Sequence, residues 1–296
     1  MKKCLVLLGA LLSFAPAYAQ DQPGTLEALK QQIQLRLKSV EGEFAVAFVD
    51  LKTGETLYLN EKTSFHAAST MKTPVMIEVF RQAKQGKFKL TDSIVVKNEF
   101  KSIVDGSSYS MEITNDSADG LYGKIGQKMT IYDLTYLMIT LSSNLATNIL
   151  IDLVGAKNAN ATMRSLGAAD IQVLRGVEDG KAYEQGLNNT VTAYDLALIF
   201  EKMARNQPNG KKATKQMLKI LLDQQFNEII PAKLPKTAKV AHKTGSITGV
   251  QHDSGIVFLP DGKKYVLVLL SKKLKDVDAG VVALADVSGM VYEFVR

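Results

Sequence analysis

The strand-forming segments of this chain lie near its two ends, and a long helical stretch separates them. Residues 43–49 are rich in β formers, and a turn at Thr53-Gly54 leads into a short strand pattern at 56–59, which predicts a hairpin. Three more strand patterns occur near the carboxyl end: 239–243, 254–259 and 264–270. All of these strands can share a sheet only if the two ends of the chain come together, and this requirement constrains the fold strongly.

Helical spacing of apolar residues covers four other segments: 20–38, 65–206, 215–222 and 276–294. Polar loops near 105–123 and 176–189 interrupt the longest of them. The chain order is therefore helix, two strands, a large helical block, one more helix, three strands and a final helix.

This order predicts a mixed α/β fold of the α+β kind. One antiparallel sheet is flanked by the amino- and carboxyl-terminal helices, and an all-α lobe is inserted between its strands. The predicted single domain spans 20–296, with its α/β lobe at about 20–62 and 210–296 and its α lobe at about 63–209. A cleft between the two lobes is a natural place for a ligand.

The first residues have the pattern of a signal peptide. Lys2 and Lys3 precede an apolar run at 4–14, which is too short for a stable membrane anchor, and the AYA sequence at 17–19 resembles a cleavage site. We therefore expect residues 1–19 to be removed and the mature protein to be periplasmic or secreted.

Composition excludes several classes of function. The one cysteine, Cys4, lies in the predicted signal peptide, so the mature protein has no disulfide and no thiol nucleophile. The two lysines of that peptide account for two of the six net positive charges, which leaves +4. The remaining lysines are spread evenly, which argues against nucleic-acid binding. No later segment is long and apolar enough to anchor the chain in a membrane, and we expect a monomer.

Ser69-Thr70-Met71-Lys72 is the first candidate for chemistry, and it is the only S-x-x-K in the chain. A serine hydroxyl needs a neighbouring base before it becomes a good nucleophile. If a helix begins at Ser69, Lys72 lies one turn along on the same face. A lysine enclosed by apolar walls and other cations can lose its proton near neutral pH. The alternative is an ordinary helix-capping serine beside a surface lysine.

Ser142-Ser143-Asn144 is the second candidate, because it places polar residues at the tip of an apolar helix. Ser142 could pass a proton to a leaving nitrogen, and Asn144 could bind a substrate amide. The alternative is a helix cap.

Lys243-Thr244-Gly245-Ser246 is the third candidate and ends an apolar strand. A cation here would attract a substrate carboxylate, Thr244 and Ser246 would add hydroxyl donors, and Gly245 would let a ligand approach the backbone. The tripeptide alone is a weak signal, since the same K-T-G begins at Lys52 in a plain hairpin turn.

The three motifs together, in this order, resemble those of class A β-lactamases and penicillin-binding proteins, and the resemblance covers nearly the whole mature chain. It implies a two-lobed serine acyl-transfer fold without cofactor or metal. It also implies a role for each motif residue: Ser69 as nucleophile, Lys72 as its proton partner, Ser142 as proton shuttle, Asn144, Thr244 and Gly245 as substrate contacts, Lys243 as carboxylate anchor, and the N–H groups of Ser69 and Ser246 as the oxyanion hole.

The sequence departs from that family pattern in two places. Ser143 occupies a position where the family usually has Asp, which predicts a changed hydrogen-bond network. In the family, the loop that corresponds to 175–189 carries a glutamate that activates the deacylating water. Here Glu178 lies one position away from the place of that glutamate. Asn189 replaces the Asp that usually forms an ion pair with the loop arginine. Glu178 is the nearest candidate base and Glu184 the second. The alternative for Glu178 is a structural partner of Arg175.

The histidines offer little for catalysis. A Ser-His-Asp triad with His252-Asp253 is conceivable, but Lys72 already fills the role of the base and the chain has no G-x-S-x-G elbow. No H-x-H or H-E-x-x-H spacing suggests zinc. We expect His242 and His252 to support the strand beside Lys243.

Three functions remain open from these residues. The first is hydrolysis of β-lactams through an acyl ester on Ser69. The second is a D-alanyl-D-alanine peptidase that acts on cell-wall peptides with the same nucleophile. The third is a sensor that binds β-lactams or muropeptides without turnover.

Overall fold

The computed structural model describes residues 24–296. The predicted signal peptide at 1–19 lies outside the described residues, as do the first residues of the predicted amino-terminal helix. The α-helices are α1 (Leu26–Lys38), α2 (Lys72–Lys84), α3 (Ile131–Thr140), α4 (Asn144–Val154), α5 (Ala156–Ser165), α6 (Gly180–Glu184), α7 (Ala193–Ala204), α8 (Lys211–Leu222) and α9 (Val277–Val295). The strands are β1 (Glu43–Asp50), β2 (Thr56–Leu59), β3 (Phe65–His66), β4 (Ser93–Val95), β5 (Phe100–Lys101), β6 (Ser108–Tyr109), β7 (Lys128–Thr130), β8 (Thr190–Val191), β9 (Lys239–Ile247), β10 (Val250–Phe258) and β11 (Lys264–Lys272).

The main sheet brings the two ends of the chain together, as predicted. Its five strands have the order β2-β1-β11-β10-β9, and every neighbouring pair is antiparallel. Ala47 of β1 lies opposite Val268 of β11, and Lys243 of β9 lies opposite Ser254 of β10. The carboxyl half of β9, which carries the third motif, is thereby an edge of the sheet and is open on one side.

Both faces of the sheet are buried. Because successive side chains of a strand point to opposite faces, Ala45 and Ala47 join the core shared with the helical lobe, whereas Val46 and Phe48 join the core under α1 and α9. The mixed α+β fold class predicted from the sequence is confirmed.

The helical lobe also contains short strands that the sequence did not reveal. They form the two-stranded ladders β3–β8, β4–β7 and β5–β6. Each of these strands has only two or three residues, so none has a readable alternation, and β3 pairs with a strand more than a hundred positions along the chain. The lobe boundaries near residues 62 and 210 stay predictions.

A bilayer would require a longer and more apolar helix than any found between residues 24 and 296.

Substitutions within α1 test how its burial stabilises the sheet. Leu29 has no exposed surface, whereas Leu35 on the same helix is 69% exposed. We expect Leu29→Ala to lower the free energy of unfolding by about 2–5 kcal/mol, because it leaves a cavity in the core under α1 and α9. Leu35→Ala is the matched control and should change it by less than about 0.5 kcal/mol. Equilibrium denaturation measures both, and equal losses would show that α1 is not packed as described.

Candidate active site

Ser69 lies in a tight turn that leads into α2. This 3₁₀ turn spans Ala68–Met71, here called the Ser69 turn, and α2 itself begins at Lys72. The helical segment considered from the sequence thus begins around Ser69 as a 3₁₀ turn, and the α-helix proper follows it directly. The preceding Ala68 has φ 44°, a left-handed conformation that strains any residue with a Cβ. The turn is closed by the Thr70 hydroxyl, which donates to the Ala67 carbonyl at 2.6 Å.

The Lys72 side chain connects the first motif to the second. It is fully buried. Its Nζ donates to the Ser142 carbonyl at 2.6 Å, to the Ser142 hydroxyl at 3.1 Å and to Asn144 Oδ1 at 2.9 Å. An ammonium has three N–H donors, so these acceptors satisfy all of them.

Burial makes this ammonium easy to deprotonate. It lowers the pKa of Lys72 to about 7, although the carboxylates of Asp116 and Glu178 partly oppose the effect. Desolvation disfavours the charged form, and neither carboxylate is bonded to the amine. Near neutral pH, a large fraction of Lys72 is therefore the neutral amine, which can accept a proton.

Lys243 donates to the same hydroxyl. It is also fully buried, and its Nζ donates to Ser142 Oγ at 3.0 Å and to the Thr244 carbonyl at 2.9 Å. Burial, and then the charge of Lys72, lower the pKa of Lys243. When both amines donate to this oxygen, Ser142 directs its own proton toward another acceptor.

The edge of β9 packs directly on the Ser69 turn. A Cβ on Gly245 would lie 3.1 Å from the backbone nitrogens of both Ser69 and Thr70. By contrast, a Cβ on Gly54, the glycine of the hairpin K-T-G, would have no atom within 4 Å. A close backbone approach therefore favours glycine in the third motif, and no such approach occurs at the glycine of the hairpin K-T-G.

The backbone of Ser246 faces the open edge of β9. Opposite it in β10, both the N–H and the C=O of Gln251 bond to the hydroxyl of Ser271 in β11. Gln251 therefore directs its backbone groups away from β9, so the pair it forms with Ser246 is of the non-hydrogen-bonded kind. The N–H of Ser246 consequently points away from β10, off the open edge of the sheet.

Glu178 reaches the same cluster despite its shifted position. Its Oε1 accepts a bond from Asn144 Nδ2 at 2.9 Å, and burial raises the pKa of Glu178 while that bond opposes the rise. Lys72, Asn144 and Glu178 thus form one continuous hydrogen-bonded chain. Glu184 is exposed on α6, away from this chain.

Two compartments of one cleft flank Ser69. One, of about 550 Å³, is lined by Glu178, Arg175 and Tyr183 among others, and a second, of about 490 Å³, extends past Ser142 and Thr244. Ser69, Asn144 and Ser246 line both. A larger cavity of about 650 Å³ lies beside α1 and β2 and contains none of the three motifs. The reactive groups therefore assign the site to the Ser69 cleft, although neither of its compartments is as large as the cavity beside α1 and β2.

The profile of the family described as the beta-lactamase enzyme family matches residues 28–295. The chain belongs to the beta-lactamase enzyme family. It is an enzyme, a serine hydrolase of the class A β-lactamase type that acts on cyclic amides.

Relatives support this membership along most of the chain. The β-lactamase VEB-1 of Pseudomonas aeruginosa is 25% identical over 94% of this chain and 93% of its own. The crystal structure of a β-lactamase from Sphaerobacter thermophilus is 29% identical, with a TM-score of 0.78 over 90% of this chain and 95% of that one. PBP-A is 28% identical, with a TM-score of 0.77 over 90% and 96%, and one of its variants was solved as an acyl-enzyme complex with penicillin G.

The 175–189 loop of this β-lactamase-family chain is closed without an ion pair at Asn189. Asn189 Oδ1 accepts bonds from the Leu174 and Arg175 amides at 2.8 and 3.1 Å, and its Nδ2 donates to the Arg175 carbonyl at 3.0 Å. The Arg175 guanidinium bonds to Leu187 O and Asn188 Oδ1, as well as to the adjacent carbonyl. The alternative role of Glu178 as the partner of Arg175 is therefore wrong.

A second anchor of this loop is Asp179, which sequence reasoning missed. Its carboxylate caps α6 at the Ala182 amide and accepts bonds from Ser102 Oγ at 2.8 Å and from the Ile103 amide at 2.9 Å. It thereby ties the residue after Glu178 to the β5–β6 ladder. The available signal was the capping preference of an Asp just before a short helix.

Asp116 is another residue that the sequence did not single out. Ser143 caps α4 and donates to Asp116 Oδ2 at 3.2 Å, and the same oxygen accepts the Leu145 amide at 2.8 Å. In the family, the second motif itself usually contains a carboxylate. Here the 105–123 loop supplies a carboxylate beside that motif.

The histidines do not form a triad with Ser69. His242 Nδ1 lies 2.9 Å from Asp253 Oδ1, and His252 Nε2 donates to the His66 carbonyl at 2.9 Å. Burial lowers the pKa of His252 to about 4, so it is neutral at ordinary pH. Within residues 24–296, no group of His, Cys, Asp and Glu side chains is arranged to hold a metal ion.

Gly245→Ala tests the close approach of β9 to the Ser69 turn. The added Cβ would meet backbone atoms that cannot move independently, so we expect the rate of Ser69 labelling by a fluorescent penicillin to fall roughly 10- to 100-fold. Gly289→Ala is the control, because its Cβ would make an ordinary 3.6 Å contact in α9. A Gly245→Ala protein that is labelled at the parent rate would contradict the described packing.

Proposed function

We propose that this protein is an exported β-lactamase that opens the β-lactam amide through an acyl ester on Ser69. The observation that carries the proposal is the hydroxyl of Ser142, shared by Lys72 and Lys243 beside the Ser69 turn. This cluster can remove a proton from a nucleophile, move it and attract an anion. Export is included because residues 1–19 have the pattern of a signal peptide.

Acylation begins with neutral Lys72. In this form the amine keeps two N–H donors for its neighbours and gains a lone pair, which takes the proton of Ser69 as its oxygen attacks the lactam carbonyl. The carbonyl oxygen becomes negative. The N–H groups of Ser69 and Ser246, one in a turn before a helix and one on an open strand edge, are the donors that we assign to it.

Ser142 completes the transfer of the proton. As the C–N bond of the lactam breaks, the nitrogen needs a proton, and the Ser142 hydroxyl gives its own while receiving one from Lys72 over 3.1 Å. Lys243 attracts the carboxylate of the substrate to the same side, with Thr244 as a neighbouring hydroxyl donor. The products of this step are an ester on Ser69 and a neutral amine, whose nitrogen has gained the proton that Ser69 lost.

Deacylation requires a water molecule and a base, for which we propose Glu178. Its half-buried carboxylate lines the Ser69 cleft and is oriented by Asn144. Removal of a proton from water by this group would let the water attack the ester and free Ser69. If this step is slow, the protein stays acylated and behaves as a penicillin-binding peptidase or a sensor.

A chromogenic cephalosporin separates these functions. We expect steady turnover by the purified protein, with only a transient increase in its mass, and we expect Ser69→Ala to abolish both. One stoichiometric burst with a stable adduct would favour the peptidase or the sensor, and release of D-alanine from a cell-wall peptide would distinguish those two. Turnover that survives in Ser69→Ala would rule out all three.

Glu178→Gln tests the proposed base. We expect burst acylation to remain and release of the acyl group to slow by roughly 10²–10⁴-fold, the usual contribution of a general base. Glu184→Gln is the matched control, since Glu184 is exposed on α6 and should leave both steps unchanged. Stopped-flow kinetics with mass spectrometry resolves the steps, and normal turnover in Glu178→Gln would remove this residue from the mechanism.

A further inference from the structure

His66 lies where the Ser69 turn meets the 175–189 loop, and the mechanism above does not use it. It belongs to β3, which pairs with β8 just after Asn189. Its side chain lines the same compartment of the cleft as Ser69 and Glu178. A histidine so close to a nucleophile invites a role, but its ring is bonded to the backbone and not to the Ser69 hydroxyl.

The ring accepts a hydrogen bond from the residue just before Ser69. The amide of Ala68 donates to His66 Nδ1 at 3.0 Å. Because an amide N–H can only donate, Nδ1 carries a lone pair, and the proton of the neutral ring is on Nε2. Ala68 is the residue with φ 44°, so this bond holds the strained position that directs Ser69 into the cleft.

We propose that His66 is a positioning residue for the nucleophile: its neutral imidazole holds the Ser69 turn in the reactive conformation, and protonation of the ring releases it. This inference rests on the proposed function, because it concerns the rate at which Ser69 is acylated. It predicts an acid limit to acylation that is separate from the titrations of Lys72 and Glu178.

The surroundings of the ring keep it neutral at pH 7. Burial, and then the charge of Arg175 on the 175–189 loop, lower the pKa of His66, while the side chain of Asn188 favours the charged form. His252 of β10 contacts the backbone of His66, and Lys272 of β11 lies over the adjacent Phe65 ring. No described carboxylate forms an ion pair with the ring, and Nε2 has no hydrogen bond of normal geometry within residues 24–296.

Protonation would act on this arrangement in two ways. A proton on Nδ1 would face the N–H of Ala68, so an attractive contact at 3.0 Å becomes one between two donors. The charged ring would also lie near the Arg175 guanidinium, which is held in place by its own backbone acceptors. At acidic pH the first effect releases the Ser69 turn from the ring, and the second pushes the ring away from the 175–189 loop.

Two variants separate the hydrogen bond from the titration. His66→Asn keeps an acceptor oxygen near the position of Nδ1 but cannot be protonated, and His66→Leu removes the acceptor. At pH 7 we expect His66→Leu to be acylated roughly tenfold more slowly, the value of one hydrogen bond, and His66→Asn within about threefold of the parent. Melting temperatures of both variants check that the fold persists.

The decisive readout is the rate of acylation by a fluorescent penicillin from about pH 4.5 to about pH 8. Lys72 and Glu178 titrate in both proteins, so their effects on the rate cancel when the His66→Asn rate is divided by the parent rate. We expect this ratio to be constant above pH 7 and to rise as the pH falls below the pKa of His66. A ratio that is constant throughout, or parent-like acylation of His66→Leu, would overturn the proposal.

A measurement on the resting protein keeps this test independent of the reaction. Absence of any acyl adduct in the parent would refute the proposed function. The nitrogen-15 chemical shifts of the His66 ring and of the Ala68 amide would then still decide the positioning role. We expect the Nε2–H tautomer at pH 7 and an Ala68 amide that follows the ring titration in the parent but not in His66→Asn. The opposite tautomer, or an Ala68 amide that ignores pH, would refute the proposal.

Discussion

Two buried lysines that share one hydroxyl are the interaction on which the site depends. Lys72 and Lys243 approach Ser142 Oγ to 3.1 and 3.0 Å, and neither forms an ion pair with a carboxylate in the described part of the chain. Buried cations without counter-ions are costly, and the cost falls when one of them loses its proton. The fold thus places a base next to the Ser69 turn by making the charged form of that base unfavourable. Stability and reactivity are coupled here. Apolar side chains in place of the two lysines would remove the energetic cost of burying charge, and they would also remove the groups that transfer protons.

The groups around the two lysines are held by carboxylates and amides from distant loops. Asp116 steadies the start of α4, and Asp179 ties the loop after Glu178 to the β5–β6 ladder. Asn189 closes the same loop through backbone bonds alone. Both a carboxylate and an amide oxygen can accept a hydrogen bond from a backbone N–H, and this chain uses both types in these positions. Glu178 bonds to Asn144 although it is shifted by one residue.

Much of the fold could be read from the sequence because its strands and long helices have strong periodic patterns. The hairpin of β1 and β2, the strands β10 and β11, and the helices α1 and α9 occur close to their predicted positions. The short ladders were missed because two residues have no measurable period. The 3₁₀ form of the Ser69 turn and the left-handed conformation of Ala68 could not be read from the sequence, because no local preference of alanine would suggest them. Asp116 escaped notice for a different reason, because its partners Ser143 and Leu145 lie 27 and 29 positions along the chain and are brought near only by the fold.

The sequence by itself determined the fold class, the three motifs and the types of side chain available for chemistry. These depend on local periodicity and on the identity of functional groups. Only the tertiary structure decided that Lys72 and Lys243 meet at Ser142, that Gly245 touches the Ser69 turn, and which acceptors replace the missing ion pair. The physical reason is that Ser142 lies 70 and 101 positions along the chain from the two lysines. A hydrogen bond requires its two atoms to be placed to within a fraction of an ångström. A separation of many positions along the chain does not by itself fix the distance between two atoms that closely.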